Sequence, residues 1–249
     1  MNAKVALITG GGRGIGAATA MLAARAGYDV GVNYAFDADS ASQVVTACRA
    51  AGVRSAAFAA DIANPTEVEA LFAACDDALG GPDLLVNNAG IIGRASRVEA
   101  LESEVLRRTF EVNVFGAIYC AQQAVRRMST ARGGRGGVII NLSSIAATLG
   151  SPREYVHYAA SKGAIESFTV GLAKEVGREG IRVNAVQAGT TDTEIHARSG
   201  NPDRPGLVAG NAPLGRVATP DDIAEAILWL ASDQASYATG AILRIGGGL

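Results

Sequence analysis

Two tyrosines, a histidine and a lysine crowd one short stretch, YVHYAASKGAIESF, residues 155–168. In a helix, Tyr158 and Lys162 lie four apart, one turn above the other on the same face. Tyr155 is two turns from Lys162, and His157 points to a different side. The spacing therefore pairs Tyr158 with Lys162. A phenol is a proton donor, but its ordinary pKa of about 10 is too high for a good base near neutrality. An ammonium beside it favours the phenolate and lowers that value by direct charge. The same two residues also make an ordinary solvated pair, and the stretch alone leaves both readings open.

A second stretch carries chemistry of another kind. TGGGRGIG, residues 9–16, lies between a strand-like run and an alanine-rich helical run. Gly12, Gly14 and Ala17 fit G-x-G-x-x-G/A, whereas Gly10, Gly14 and Gly16 make a wider spacing. Either way a tight turn meets a helix N-terminus, where free N–H groups and the helix dipole attract a pyrophosphate. No G-K-[ST] follows, which excludes a Walker A loop. A dinucleotide site then needs a group for the adenosine ribose at the end of the second strand, where NAD sites place an acid. Here Asn33 and Tyr34 stand there, with Asp37 and Asp39 farther into the turn. With no acid to repel it, a 2′-phosphate is accepted, and Arg13 can pair with it bidentately. NADP(H) is thus favoured over NAD(H). An S-adenosylmethionine site, which also uses a glycine-rich turn after the first strand, stays open.

These residues need a scaffold, and an alternating rhythm supplies one. Strand-like runs KVALITG, DVGVNY, SAAFAAD, PDLLVNNAG, GVIINLSS, GIRVNAVQAG and GAILRIGGG alternate with helical stretches near 15–26, 38–51, 65–79, 100–130, 155–178 and 220–232. Gly116 within the long fourth helical region marks an interruption or a close contact. Seven strands separated by helices predict an α/β, doubly wound, mostly parallel seven-stranded sheet with helices on both faces. No composition break divides the chain, so residues 1–249 are expected to form one domain. Residues 190–212, polar and punctuated by proline and glycine, are too long for an ordinary connection and make a candidate lid or substrate loop.

Composition excludes some classes. Over 249 residues, 22 basic and 24 acidic side chains give a formal net charge of −2. No basic field for nucleic acid is present, since RRMSTARGGRGG is brief and glycine-rich. Cysteines 48, 75 and 120 have neither metal-ligand spacing nor a secreted disulfide pattern, and are expected as small buried side chains. No apolar run reaches the ~20 residues that span a bilayer. No metal, no membrane and a reducing, cytoplasmic setting are expected.

With these motifs in order, the chain resembles the classical short-chain dehydrogenases/reductases over nearly all its length. TGGGRGIG, NNAG at 87–90, SS at 143–144 and YAASK at 158–162 carry the resemblance, with Asn113 in FEVNVFG. It implies a Rossmann-like fold, a catalytic group of Asn113, Ser144, Tyr158 and Lys162, and a carbonyl/alcohol oxidoreductase with Tyr158 as acid/base. The choice of Ser144 over Ser143 rests on the family's second serine, although the loop to Tyr158 is one residue longer than is commonest. The resemblance also assigns the cofactor to Gly10, Arg13, Gly14, Ile15 and Gly16 of the turn, to Asn33, Tyr34, Asp61, Ile62, Asn88 and Gly90, and to Tyr158, Lys162, Gly189 and Thr191. It implies a homotetramer. Two departures stand out: Ala188 replaces the usual proline before Gly189, and Gly246 replaces a common aspartate. Tyr155 is expected to wall the pocket or cover the helix, and His157 and His196 are expected to face solvent. A non-catalytic NADP(H)-binding regulatory or scaffold protein and a methyltransferase remain the competing functions.

Overall fold

A computed structural model describes residues 3–249, with Arg198 described by its backbone only; residues 1 and 2 of the expected domain lie outside the described residues. The strands are β1 (Val5–Ile8), β2 (Asp29–Tyr34), β3 (Ser55–Ala59), β4 (Leu84–Asn87), β5 (Gly137–Ser144), β6 (Ile181–Ala188) and β7 (Ile242–Ile245). All pair in parallel in the order β3-β2-β1-β4-β5-β6-β7. The order reverses between β1 and β4, where doubly wound sheets open a crevice at the strands' C-terminal ends.

Period-two alternation builds the two layers. Ala6 and Ile8 of β1 pack into a cluster with helices α1 (Gly14–Arg25), α2 (Ala38–Ala50) and α10 (Pro220–Ala231). Val5 and Leu7 face the opposite cluster, with α3 (Pro65–Leu79), α5 (Ala117–Met128) and α7 (Val156–Val176). Ala20, Ala23 and Ala24 of α1 let that helix close on Ile223 and Ile227 of α10 without bulky spacers. Cys48, Cys75 and Cys120 are free and buried, as expected. Burial pushes the Cys75 and Cys120 thiols up to about 12.

Helix starts follow local chemistry. Asp37 caps α2, Asn64 caps α3 ahead of Pro65, and Thr219 with Asp222 forms a capping box around Pro220 of α10. Helix α1 differs: Arg13 at its N-cap makes no side-chain capping bond, and its first turn holds no acid. Its N-terminal N–H groups are left without a side-chain cap at the mouth of the crevice.

The long helical region is divided. Helix α4 (Ser103–Phe110) passes through a π-helical segment, Glu111–Gly116, into α5. Gly116 is there for close contact, since a Cβ on it would lie 2.7 Å from the Ile62 side chain. Residues 190–220, unassigned from sequence, contain two short helices, α8 (Ile195–Arg198) and α9 (Arg204–Ala209). A further short helix, α6 (Ala146–Leu149), follows β5.

Candidate active site

A cleft of about 620 Å³ lies over the C-terminal ends of the strands. Its walls draw on the turn after β1, the ends of β2 and β3, the segment after β4, the β5 end with Ser144, helix α7, and Thr190 to Val208. All the residues assigned from sequence except Asn113 and Gly16 line it. Those two sit directly behind the wall and shape it.

The glycine turn resolves the two spacings. Gly10 and Gly14 adopt φ of +60° and +51°, a region that favours glycine. A Cβ on Gly16 would lie 2.4 Å from the Gly10 carbonyl oxygen and 2.5 Å from Asn88 Nδ2. The wider set, Gly10, Gly14 and Gly16, is therefore the one the backbone requires. Asn88 closes the turn from below, donating through Nδ2 to the carbonyls of Thr9 at 2.9 Å and Gly10 at 3.0 Å. With the uncapped start of α1 above it, this cradle fits a pyrophosphate.

Around the ends of β2 and β3, several residues expected to meet the adenosine half are engaged with protein. Asn33 is buried, with Nδ2 donating to the Ala60 and Phe58 carbonyls and Oδ1 accepting from Gly10 N–H. Its side chain ties β2 to β3 and to the glycine turn, and both Asn33 and Tyr34 line the cleft. Asp61 accepts from Arg108 at 2.6 Å and from Ala63 N–H at 3.0 Å. Arg13 pairs with Asp37 at 2.7 Å and approaches Glu194 at 3.8 Å. Asp37 is thus nearer the site than its place in sequence indicated, because capping α2 turns its carboxylate back toward Arg13.

At the other end lie Tyr158 and Lys162. Lys162 Nζ sits 5.7 Å from the Tyr158 ring centre and donates to the Leu142 carbonyl at 2.7 Å. Gly90 lets the main chain pass this close, since a Cβ there would stand 3.5 Å from Lys162 Nζ and 3.2 Å from Asn113 Oδ1. Asn113, inside the π-helical segment, clasps Ile91 through both its N–H and carbonyl, at 2.8 Å each, and donates to Ser161 at 3.0 Å. A π-helical turn commonly marks a functional site, a signal absent from helix periodicity.

The two serines separate cleanly. Ser143 is buried and donates to Glu166 at 2.7 Å, with Gln187 donating to the same carboxylate oxygen at 2.8 Å. Ser144 lines the same cleft as Tyr158, and its Oγ accepts from Ala146 N–H at 3.2 Å.

Electrostatics depart from expectation at the phenol. Burial pushes Tyr158 above 10, opposed by the Ser144 hydroxyl and the charge of Arg204 rather than by Lys162. Burial also brings Lys162 itself down to about 8, from an ordinary 10.5. Desolvation disfavours both ions, so the protein alone holds a protonated phenol above a weakened ammonium.

Both histidines are buried, not solvent-facing. His157 lies against the Ile92 carbonyl at 3.0 Å, packed where Gly93 leaves room, and His196 lines the cleft. Tyr155 walls the cleft and is 2% exposed. Thr191 donates to the Gly189 carbonyl at 3.0 Å. The glycine at 246 is accounted for: a Cβ on Gly189 would stand 2.9 Å from Gly246 Cα, and one on Gly246 3.1 Å from Ile145. Sequence reasoning missed Arg108 and Arg204, whose positions in the cleft arise from long-range packing with no local motif.

The fold and site define a doubly wound nucleotide-binding protein with a tyrosine–lysine–serine group at the mouth of its sheet. Comparison with known proteins agrees. Residues 10–249 match the family model described as enoyl-(acyl carrier protein) reductase. The uncharacterized oxidoreductase YgfF of Escherichia coli K12 is 46% identical over 98% of this chain and 99% of its own. An L-rhamnose 1-dehydrogenase (NAD(P)(+)) of Sphingomonas sp. SKA58 is 36% identical over 100% and 97%. A short-chain dehydrogenase from Burkholderia cenocepacia J2315, solved in complex with NADP, superposes with a TM-score of 0.91 at 35% identity, covering 99% of this chain and 98% of that one. The chain belongs to the short-chain dehydrogenase/reductase family and is an oxidoreductase. That membership removes the methyltransferase reading.

Among the described residues no helix is long and apolar enough to cross a membrane, and no group of three or more His, Cys, Asp or Glu side chains is placed to hold a metal.

Proposed function

We propose that the protein interconverts a small carbonyl compound and its alcohol, with NADP(H) preferred over NAD(H). The observation that carries this is a buried lysine 5.7 Å from the ring of Tyr158 in the same cleft as the glycine cradle. Gly10, Gly14, Ile15 and Gly16 would hold the pyrophosphate, Arg13, Asn33, Tyr34, Asp61, Ile62, Asn88 and Gly90 the adenosine half, and Tyr158, Lys162, Gly189 and Thr191 the nicotinamide half. Bound there, the nicotinamide supplies a hydride in reduction and accepts one in oxidation.

The chain's own residues handle the oxygen and its proton. Ser144 orients the substrate oxygen by hydrogen bonding as charge develops on it. Tyr158, kept protonated by burial, donates its phenolic proton to that oxygen in reduction and takes one back in oxidation. Oxidation needs the phenolate, which the Ser144 hydroxyl and the charge of Arg204 favour. Asn113 keeps Ile91, and with it the segment after β4 beside the lysine, in place. Arg13 favours a 2′-phosphate once its pairing with Asp37 is shared with that anion, and the NADP complex of the Burkholderia relative supports the choice. Residues 190–212 act as the substrate loop, within one domain over 1–249. The reading includes a cytoplasmic homotetramer joined through the long helices and last strand, where Leu106 and Phe115 stand exposed.

Replacement of Tyr158 by Phe tests it. Turnover of carbonyl substrates should fall more than about 100-fold while NADPH still binds. Full turnover by that variant refutes the role.

A further inference from the structure

The half of the cleft beyond Tyr158 is walled by apolar side chains such as Ile92, Ile145, Leu149 and Val208, and by Tyr155. One guanidinium stands among them. Arg204, at the start of α9, lies 5.2 Å over the Tyr155 ring and lines the same cleft as Tyr158. Its Nη1 donates to Glu154, and among the described residues its other nitrogens donate to no protein acceptor. Glu154 is 42% exposed and lies outside the cleft lining, whereas the Arg204 side chain is 24% exposed. The counter-ion is thus the more exposed partner and stands outside the lining, while the guanidinium lies over Tyr155 within it. A half-exposed pair of this kind is weak and leaves the cation available to a second anion. The acidic side chains that line the cleft among the described residues, Asp37, Asp61 and Glu194, engage Arg13 or Arg108. His196 is buried and held toward its neutral form.

The wall that Arg204 packs against is braced. The loop that delivers Glu154 and Tyr155 bends through left-handed φ at Ser151 (43°) and Arg153 (68°), conformations that non-glycine residues keep only when their surroundings hold them. Tyr155 N–H donates to the Ser151 carbonyl at 3.0 Å, and Ser96 N–H to the Glu154 carbonyl at 2.9 Å. A planar fork fixed over an aromatic ring in an apolar cleft matches a carboxylate better than any neutral group. We infer that Arg204 recognises a carboxylate carried by the substrate, so that oxo acids and the corresponding hydroxy acids are preferred over neutral carbonyl compounds. This deepens the carbonyl/alcohol reading above and rests on it.

The test compares oxo acids from 3-oxobutanoate to 6-oxoheptanoate, each against its methyl ester, with NADPH. For at least one chain length the wild-type kcat/KM should favour the acid by about 10- to 100-fold, the range of a charge-assisted hydrogen bond. In Arg204→Gln the acid-to-ester ratio should fall to near one. Because the charge of Arg204 also reaches Tyr158, absolute rates fall for both substrates and only the ratio reports recognition. A wild-type ratio near one at every length, or an unchanged ratio in Arg204→Gln, overturns the inference. Should that variant not fold, Glu154→Gln decides: releasing Arg204 from its counter-ion raises the ratio, and a fixed or lowered ratio contradicts it. If no carbonyl turns over, the proposed reaction fails instead. Calorimetric titration of the NADP+-saturated wild type with hexanoate and hexanamide then judges Arg204 alone: selective hexanoate binding supports the site and its absence overturns it.

Discussion

Replacing Lys162 by methionine should make the protein more stable while destroying its function. Lys162 is 5% exposed, and burial holds its ammonium at about 8 against an ordinary 10.5. Each pH unit of that difference corresponds to about 1.4 kcal/mol, so keeping the charge inside costs about 3 kcal/mol at neutral pH. Methionine fills similar volume without the charge but forfeits the hydrogen bond to the Leu142 carbonyl, worth about 1 kcal/mol. The net gain for Lys162→Met is therefore about 2 kcal/mol at pH 7, or roughly 4–8 °C in Tm for a chain of this size. The gain depends on pH in a definite direction. Between pH 8 and 10.5 the unfolded chain keeps the lysine protonated while the folded one releases the proton, so wild-type stability rises relative to the variant. Above pH 10.5 both states are neutral and the variant's advantage is gone. Calorimetric melts of both proteins without cofactor at pH 7, 9 and 10.5 read this directly. A variant less stable than wild type at pH 7, or an offset constant across the three pH values, refutes the reasoning.

Other substitutions separate binding, chemistry and support. Arg13→Gln should lower the NADPH-to-NADH ratio of kcat/KM by about 10-fold, while Asp37→Asn, which can still cap α2, should raise it; steady-state kinetics with both cofactors checks each. Ser144→Ala should cut turnover about 100-fold with little change in melting temperature. Ser143→Ala should do the reverse, losing about 1–2 kcal/mol because the Glu166 carboxylate loses a buried partner, as chemical denaturation would show. Gly16→Val should weaken NADPH binding at least tenfold in a fluorescence titration, since its Cβ would stand 2.4 Å from the Gly10 carbonyl and push the Asn88 clamp aside.

Where the sequence was legible, the cause was local. The apolar runs of β1, β2, β5 and β6 declare buried parallel strands, and the lysine one turn beyond Tyr158 declares a shared helix face. Pro65 and Pro220 mark helix starts that the structure realises with side-chain caps. What sequence left open depends on packing between distant segments. The choice between two glycine spacings is decided by Asn88, which follows a different strand. The burial of His157 and His196, the pairing of Arg13 with Asp37 and the π-helical segment around Asn113 all arise from neighbours far along the chain or from backbone hydrogen bonding that periodicity does not reveal. The phenol is the instructive case. A charge four residues away predicts acidification, yet burial raises the phenol and weakens the ammonium, and the opposing effects on Tyr158 come from Ser144 and Arg204.

The central claim is that this cleft moves a hydride to a carbonyl carbon while Tyr158 delivers the proton. Incubating NADPH deuterated at both C4 positions of the nicotinamide with the oxo-acid series, and analysing the alcohol by mass spectrometry and NMR, tests it most directly. Deuterium on the carbinol carbon with wild type, and no labelled alcohol with a Tyr158→Phe variant that still binds NADPH, is the predicted result. Equal labelled product from both proteins, or alcohol formed without deuterium, would contradict the account.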